Sequence, residues 1–283
     1  MSISKVVFYT CILSLAIVGC VKKRSVDSLI EDLESGYDDV RRQAMMDLLQ
    51  RDKDEVVPPL IEVLRTGTDQ AKYMAVQILG KMNDQRAVDP LIALLGARNA
   101  HLRAAVVEAL GTLKGQKVMD PLLRCMKDPH GIVRVKATFA LGSLDDLRIV
   151  SPLMVALKDS ITGVRASALV SLDRIWPKLT DDVQKREVLD GIETAVGDTS
   201  AAVRYIAVQL LGIMRDREAV PILIAHLNDE NSRIRQKAAQ SLGALGDERA
   251  IDPLKDLMKQ GTEEEQGAAK RALRNIMEGI PQK

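Results

Sequence analysis

Aromatic residues are scarce in this chain, with one Trp, four Tyr and two Phe among 283 residues. Phe8 and Tyr9 lie in an N-terminal apolar run, which leaves five for the body of the protein. That is too few for a β-rich fold or a base-stacking surface. Cysteine is equally sparse, at three. Cys11 and Cys20 belong to the N-terminal segment and Cys125 stands alone, so a disulfide framework is excluded. An excess of either charge is also missing, because 40 basic residues face 39 acidic ones. Nucleic-acid phosphates demand a basic surface, and the neutral balance argues against such a partner. There is no glycine-rich phosphate loop, nucleophile elbow or catalytic carboxylate pair. None of the three histidines, His101, His130 and His226, is followed by Glu, and no Cys or carboxylate cluster completes a ligand set. Neither a metal nor any other cofactor is expected, and the chain reads as a non-enzyme. What remains in abundance is Leu, Ala, Met, Lys, Arg, Asp and Glu, a helical composition.

Acidic residues are absent ahead of Cys20 as well. The stretch "MSISKVVFYTCILSLAIVG" has one basic residue, Lys5, before an apolar run from Val6 to Val18. This is the pattern of a secretory signal, and the run is too short to span a membrane as a helix. The residues Ile17-Val18-Gly19-Cys20 resemble the lipobox of bacterial lipoproteins. The resemblance implies cleavage before Cys20 and acylation of its thiol and new amino terminus. Acyl chains contribute about 0.8 kcal/mol for each buried CH₂, so the anchor would be permanent. The implied location is the bacterial cell envelope. Val21 rather than Asp after the Cys favours the outer membrane, facing the periplasm, if the envelope has two membranes. The chain therefore divides into a signal peptide (1–19), a lipid anchor with a short basic linker (20–24) and a body (25–283).

The body is repetitive. "AVDPLIALLGARNAHLRAAVVEALGTL" from Ala87, "VMDPLLRCMKDPHGIVRVKATFALGSL" from Val118 and "IVSPLMVALKDSITGVRASALVSLDRI" from Ile149 start 31 residues apart. The same frame begins at Ser25, Val56, Val188, Ala219 and Ala250, and only the step from 149 to 188 is longer, by eight residues. Position 24 of the unit is Leu in all eight, and position 20 is Ala in seven, with Val106 the exception. Apolar residues at positions 2, 5, 6 and 9 and again at 16, 20, 24 and 27 have helical spacing. Each unit is thus a helix A, a turn near positions 11 to 14, and a longer helix B. Pro59, Pro90, Pro121, Pro152 and Pro253 share position 4, usually after an Asp or Ser, which predicts the first helical residue with that preceding residue as its cap. Neither helix can bury its stripe alone, so neighbouring units stack. The fold class is all-α, an α-solenoid of eight two-helix repeats with one eight-residue insertion in repeat 5.

The segments "DQRAVDPLIALL" (84–95), "DLRIVSPLMVAL" (146–157) and "DERAIDPLKDLM" (247–258), each joined to a helix B such as "VRVKATFALG", resemble HEAT repeats of the short type named after phycobilisome lyases. The resemblance covers all of 25–283 and implies the solenoid fold. It says little about activity, since such repeats serve scaffolds, adaptors and a few enzymes. Among relatives, di-iron hydroxylases use His-Glu pairs, which this chain lacks. The end units are polar, as stacking demands. Repeat 8 carries Glu265-Gln266 where others have a branched residue and Arg, and repeat 1 carries Asp47 and Arg51 on its helix B.

Three groups of residues stand out. Arg41, Lys72, Arg103, Arg134, Arg165, Arg204 and Arg235 recur at position 17, with Asp128, Asp159, Asp198 and Asp229 six residues earlier in four repeats. They are expected to form a structural ladder linking those carboxylates and turn carbonyls of neighbouring repeats. Cys125 is expected to be a semi-buried thiol. The third group lies at positions 18, 22 and 25, opposite the apolar stripe of helix B. These are polar in repeats 7 and 8 but apolar in repeats 4 and 5, as Val135, Phe139, Ala166 and Val170, and the insertion beyond them carries Trp176. Contiguous outward apolar residues mark a contact surface, with Trp176 as its anchor. The competing arrangement folds the insertion back so that Trp176 covers Phe139. Position 25 is Gly in five repeats, which permits a close approach to that face.

The leading functional expectation is a membrane-anchored scaffold whose concave face binds a protein or peptide. The second, resting on likeness to the lyases, is an accessory subunit of an envelope enzyme or cofactor-attachment system. Only Val21 to Arg24 separates the anchor from repeat 1, so the first repeat should lie close to the bilayer. Cys20→Ala is expected to abolish incorporation of a fatty-acid analogue in growing cells, and equal labelling of the two forms would overturn the lipobox assignment.

Overall fold

The computed structural model describes residues 24–144 and 146–279. Cys20 and the rest of the 1–23 segment lie outside the described residues. All regular structure among the described residues is helical, and 16 α-helices alternate as A and B members of the repeats. They are α1 (Val26–Asp32), α2 (Asp38–Leu49), α3 (Lys53–Thr66), α4 (Asp69–Met82), α5 (Val88–Ala93), α6 (Ala100–Leu113), α7 (Gln116–Cys125), α8 (Gly131–Leu141), α9 (Val150–Ala156), α10 (Thr162–Ile175), α11 (Asp182–Ala195), α12 (Ala201–Met214), α13 (Val220–Ala225), α14 (Ser232–Leu245), α15 (Ile251–Gln260) and α16 (Glu263–Met277). The chain forms two compact units, one ending at Pro90 and the other starting at Leu91. In the first, α1 packs on α2 and α3 on α4. In the second, each helix B from α6 to α16 packs on the next one. No described helix is long and apolar enough to cross a membrane.

The 31-residue frame marks the core. Position 24 is fully buried from Leu48 through Leu242 and only 8% exposed at Leu273. Position 5, from Leu29 to Leu254, is fully buried in every repeat. Each such side chain contributes about 1.5–3 kcal/mol of apolar transfer free energy.

Helix A begins differently from the expectation. Pro90, Pro152 and Pro253 are the third residues of their α-helices, each preceded by a 3-10 turn. The cap is not the residue before Pro but an Asp six residues earlier. Asp84, Asp146 and Asp247 accept from the backbone N–H of Arg86, Arg148 and Arg249 at 2.9, 2.9 and 3.0 Å. The guanidinium of each Arg returns to the same carboxylate. In α3 and α7 the helix starts still earlier, so Pro59 and Pro121 fall within its second turn. At Pro90, Pro152 and Pro253 the missing N–H falls in the first turn, where donors have no intrahelical partner, whereas Pro59 and Pro121 each give up an interior one.

Position 25 is not outward. A Cβ placed on Gly111 would lie 2.7 Å from Ala140 Cβ, and one on Gly142 would lie 2.8 Å from Ser171 Cα. Gly212 and Gly243 meet Ser241 and Ala272 in the same way. In each case the neighbour is position 23 of the next repeat. A helix B therefore has three buried sides, facing the A layer, the preceding B and the following B. Ser171 and Ser241, both buried, use the close approach to donate to the carbonyls of Thr138 (2.9 Å) and Val208 (3.0 Å) on the preceding helix.

The lock is absent where the rhythm breaks. Repeat 5 has Asp173 at position 25, and repeat 6 presents buried Leu210 at position 23. Burial raises the Asp173 pKa above its ordinary 3.8, and α10 and α12 pack less closely than the other B pairs of this unit. The eight extra residues form a 3-10 turn, Trp176–Lys178, and an early start of α11, capped by Asp181 seven residues ahead of Val188. Leu179, 3% exposed, pins the connection into the core.

Gly142→Ala is expected to destabilise the second unit by about 1–3 kcal/mol through overpacking, since its new methyl meets backbone. Gly96→Ala, with nothing within 4 Å, should stay within about 0.5 kcal/mol of wild type. Urea denaturation followed by far-ultraviolet circular dichroism compares the two.

Candidate interaction site

The side chains that hold the turns come first, because they fix where each helix B starts. Arg103 reaches in two directions. Its Nη1 donates to the carbonyls of Ala97 (2.7 Å) and Arg98 (3.0 Å) in its own turn. Its Nε and Nη2 form a fork on Asp128 of the next repeat at 2.7 and 2.8 Å. Arg134 repeats this on Asp159, Arg165 on Asp198 and Arg204 on Asp229, each with two carbonyls of its own turn. Each Asp in turn accepts from the backbone N–H two residues on, at His130, Ile161, Ser200 and Asn231. Its own carbonyl receives the Arg of its repeat, so the links run on without a gap.

Repeat 8 has Gln260 where the next Asp would stand. Arg235 pairs instead with Glu265 at 2.7 Å. Glu265 is 1% exposed and also accepts from Ser232 and from the N–H of Thr262. It is thus a buried rung, not the solvent-facing end expected from its place in repeat 8. Gln266 takes over the turn-capping role, donating to the Gly261 carbonyl at 2.9 Å. Exposed charges of this end include Lys270 and Arg274, the latter at position 25, where inner helices pack on their successor. In the first unit Arg41 bonds to the Ser35 carbonyl and to Asp38, with no partner in another repeat. Lys72, which has no fork to offer, is half-buried. Arg24, the described member of the basic linker, pairs with Asp32.

The guanidinium of Arg134 is the largest influence on Asp159 and that of Arg165 on Asp198, and both carboxyls lie below 3.8. Burial is the largest influence on Asp128 and Asp229 and pushes them up. The Arg bonds, the turn N–H groups and the nearby charges together outweigh it, so these carboxyls also end below 3.8.

With three sides of each inner helix B of the second unit buried, the open strip centres on position 22 and includes positions 15, 19 and 26. Phe139 is 46% exposed on it. Val135, Ala166 and Val170 are half-buried, and Val135 packs toward Gly163 at the start of α10. What lies over the Phe139 ring is Arg174, at 4.3 Å from its centroid. Trp176 is not the cover. Six residues beyond Val170, it is turned by about two-thirds of a turn at 100° per residue and is half-buried. Arg174, four residues after Val170, shares its stripe, which the 18-22-25 reading missed. A second pair occurs on the same strip, with Lys237 5.2 Å from the Tyr205 ring. Exposed Ile132 and Ile213 add apolar surface, and Lys136 bridges to Glu108 at 2.8 Å.

This strip can hold carboxylates and apolar side chains through cations placed on aromatic rings. Elsewhere, burial first and Asp128 second push the Cys125 thiol up to about 11, so it is protonated at neutral pH. The described residues contain no group of three or more His, Cys, Asp or Glu able to hold a metal. His226 bonds through its ring to the carbonyls of Ile222 and Val196.

The model of HEAT repeats matches residues 57–134 and 188–274, and that of the PBS lyase HEAT-like repeat matches 133–159. No curated protein matches the chain. Among solved structures, the Escherichia coli protein YibA is similar over 98% of this chain and 97% of its own, at 19% identity and a TM-score of 0.71. An engineered protein is similar over 89% of this chain and 78% of its own, at 17% identity and a TM-score of 0.53. The complex of CpcE and CpcF of phycocyanin lyase from Nostoc sp. PCC7120 aligns over 82% of this chain and 96% of its own, at 20% identity and a TM-score of 0.49.

Arg134→Ala is expected to cost about 1.5–3 kcal/mol at pH 7, because it leaves Asp159 unpaired. A carboxyl whose folded pKa lies below 3.8 stabilises the fold fully above about pH 5 and loses that contribution as the pH falls through 3.8 toward the folded value. The difference between wild type and Arg134→Ala should therefore shrink below about pH 4, as read from urea midpoints across the acid range.

Proposed function

The chain belongs to the HEAT-repeat family, and from that premise we propose that it is a non-catalytic interaction scaffold, held on a membrane of the bacterial cell envelope through acylated Cys20, that binds a protein or peptide on the helix B face of its second unit. The observation that carries the docking part is Phe139. A large aromatic ring stands nearly half exposed in the middle of a repeat array, and its only ring partner among the described residues is a cation, Arg174, that is itself exposed. Burying such a ring against a partner gains apolar area, and the guanidinium over it supplies a polar contact at the rim. The anchor part rests on the sequence of residues 1–20. Reading the protein as non-catalytic rests on the absence of catalytic motifs from the sequence and on a protonated Cys125.

Phe139→Asp tests the docking part directly. Away from the buried sides of α8, the change should shift stability by no more than about 1 kcal/mol, while partners co-purified with wild type from detergent-solubilised membranes are lost. Retention of the same partners by the variant would place the binding surface elsewhere. Collapse of the second unit would make Phe139 a core residue.

A further inference from the structure

The helix B strip changes character beyond repeat 5. Between α12 and α14 it forms a groove whose lining includes Tyr205, Ile206, Arg233, Gln236, Lys237 and Gln240. Tyr205 and Ile206 give it an apolar, half-buried floor. Lys237 is held over the Tyr205 ring. Gln236 and Gln240 offer amide donors and acceptors, and no carboxylate lines the groove.

The charges are uncompensated. Arg233 and Lys237 are four residues apart on α14 and so lie on one face, a like-charge spacing that disfavours the helix by a few tenths of a kcal/mol. Several cations of this unit are paired with carboxylates at such spacings, as Arg186 is with Asp190, Lys255 with Asp252 and Lys259 with Asp256. Neither Arg233 nor Lys237 forms an ion pair among the described residues. Exposed Arg271, at position 22 of repeat 8, extends the positive charge onto α16. The like-charge spacing itself contributes nothing favourable to the fold, and an anionic ligand relieves it.

We propose that the groove between α12 and α14 receives an acidic peptide segment carrying an apolar side chain. Charge complementarity selects the carboxylates, and Arg233 can take one in a bidentate fork. The floor of Tyr205 and Ile206 takes the apolar group, and the two glutamine amides match the backbone of an extended chain. A phosphate polymer fits less well, because the groove offers two cations over an apolar floor rather than a row of cations spaced for successive phosphates. The proposal rests on the reading of the helix B face as a docking surface and names the class of its partner.

The test is selection of a random peptide library displayed on phage against the full chain in detergent micelles. Selected peptides are expected to carry at least two Asp or Glu with a large apolar residue. Their affinity should fall about tenfold or more in the Arg233→Glu, Lys237→Glu double variant and weaken with added salt. Lys127→Glu, in the turn after α7, should leave it unchanged, and circular dichroism confirms that each variant is folded. Neutral or basic selected peptides, or affinity insensitive to the double reversal, would overturn the proposal. If such peptides were still lost in Phe139→Asp, the docking reading would stand without it. Failure to enrich any peptide would remove both. Binding of short polyuridylate by the groove, sensitive to the double reversal, would assign it to nucleic acid and overturn the proposal as well.

Discussion

From α6 to α16 every junction between repeats is closed at the turn by a cationic side chain that belongs to one repeat and holds a carboxylate of the next. A fork on a carboxylate is directional, so the Arg103–Asp128 pair and its successors fix both the distance and the rotation of one repeat against the following one. Once that register is set, position 25 of a helix B lies against position 23 of the next, and only Gly against a small residue fits. The close approach lets Ser171 and Ser241 reach carbonyls across the interface. The electrostatic contact at the turn and the steric contact at the far end of the helix thus enforce the same geometry from two places.

Repeat 8 illustrates how firmly the ladder constrains the chain. It lacks the Asp, yet Arg235 still finds a carboxylate, because Glu265 occupies a core position that would otherwise be apolar. Burying that carboxylate is tolerable only because three donors meet it. Between repeats 5 and 6 the Arg165–Asp198 rung survives although 33 residues, not 25, separate its members. The insertion is absorbed elsewhere, in the Trp176 turn and the early start of α11, and the steric lock is what gives way, with Asp173 at position 25 and Leu210 at position 23 in place of Gly and a small residue. The ladder tolerates a longer connection because its members sit in the turns, away from the inserted segment.

The open strip of helix B is what remains after three sides have been buried. Its chemistry changes along the unit. Around repeats 4 and 5 it offers Phe139 beneath Arg174, and around repeats 6 and 7 a groove with an apolar floor and unpaired cations. A scaffold of this kind needs no moving parts, since its binding groups ride on helices whose spacing the ladder and the glycines already hold rigid.

Much of this was legible in the amino-acid order. A 31-residue period gave the sixteen helices and their core, because apolar spacing reports which stripe a helix must bury and burial is the largest favourable term in folding. The recurrence of Arg six residues after Asp pointed to the turns. Other features could not be read that way. Glu265 looked like a surface residue because polarity in an end repeat normally means solvent, and only the missing Asp at Gln260 makes it a rung. Gly at position 25 looked outward because a single helix has one inside and one outside, whereas a helix stacked between two copies of itself has three buried sides. Trp176 looked like a neighbour of Phe139 because it follows soon after in sequence, but rotation along α10 carries it to another flank and brings Arg174 over the ring. The sequence alone determined which residues repeat and which stripe is apolar, since both follow from local spacing. The tertiary structure alone decided what each flank of a helix touches, since that depends on the angle at which one repeat meets the next.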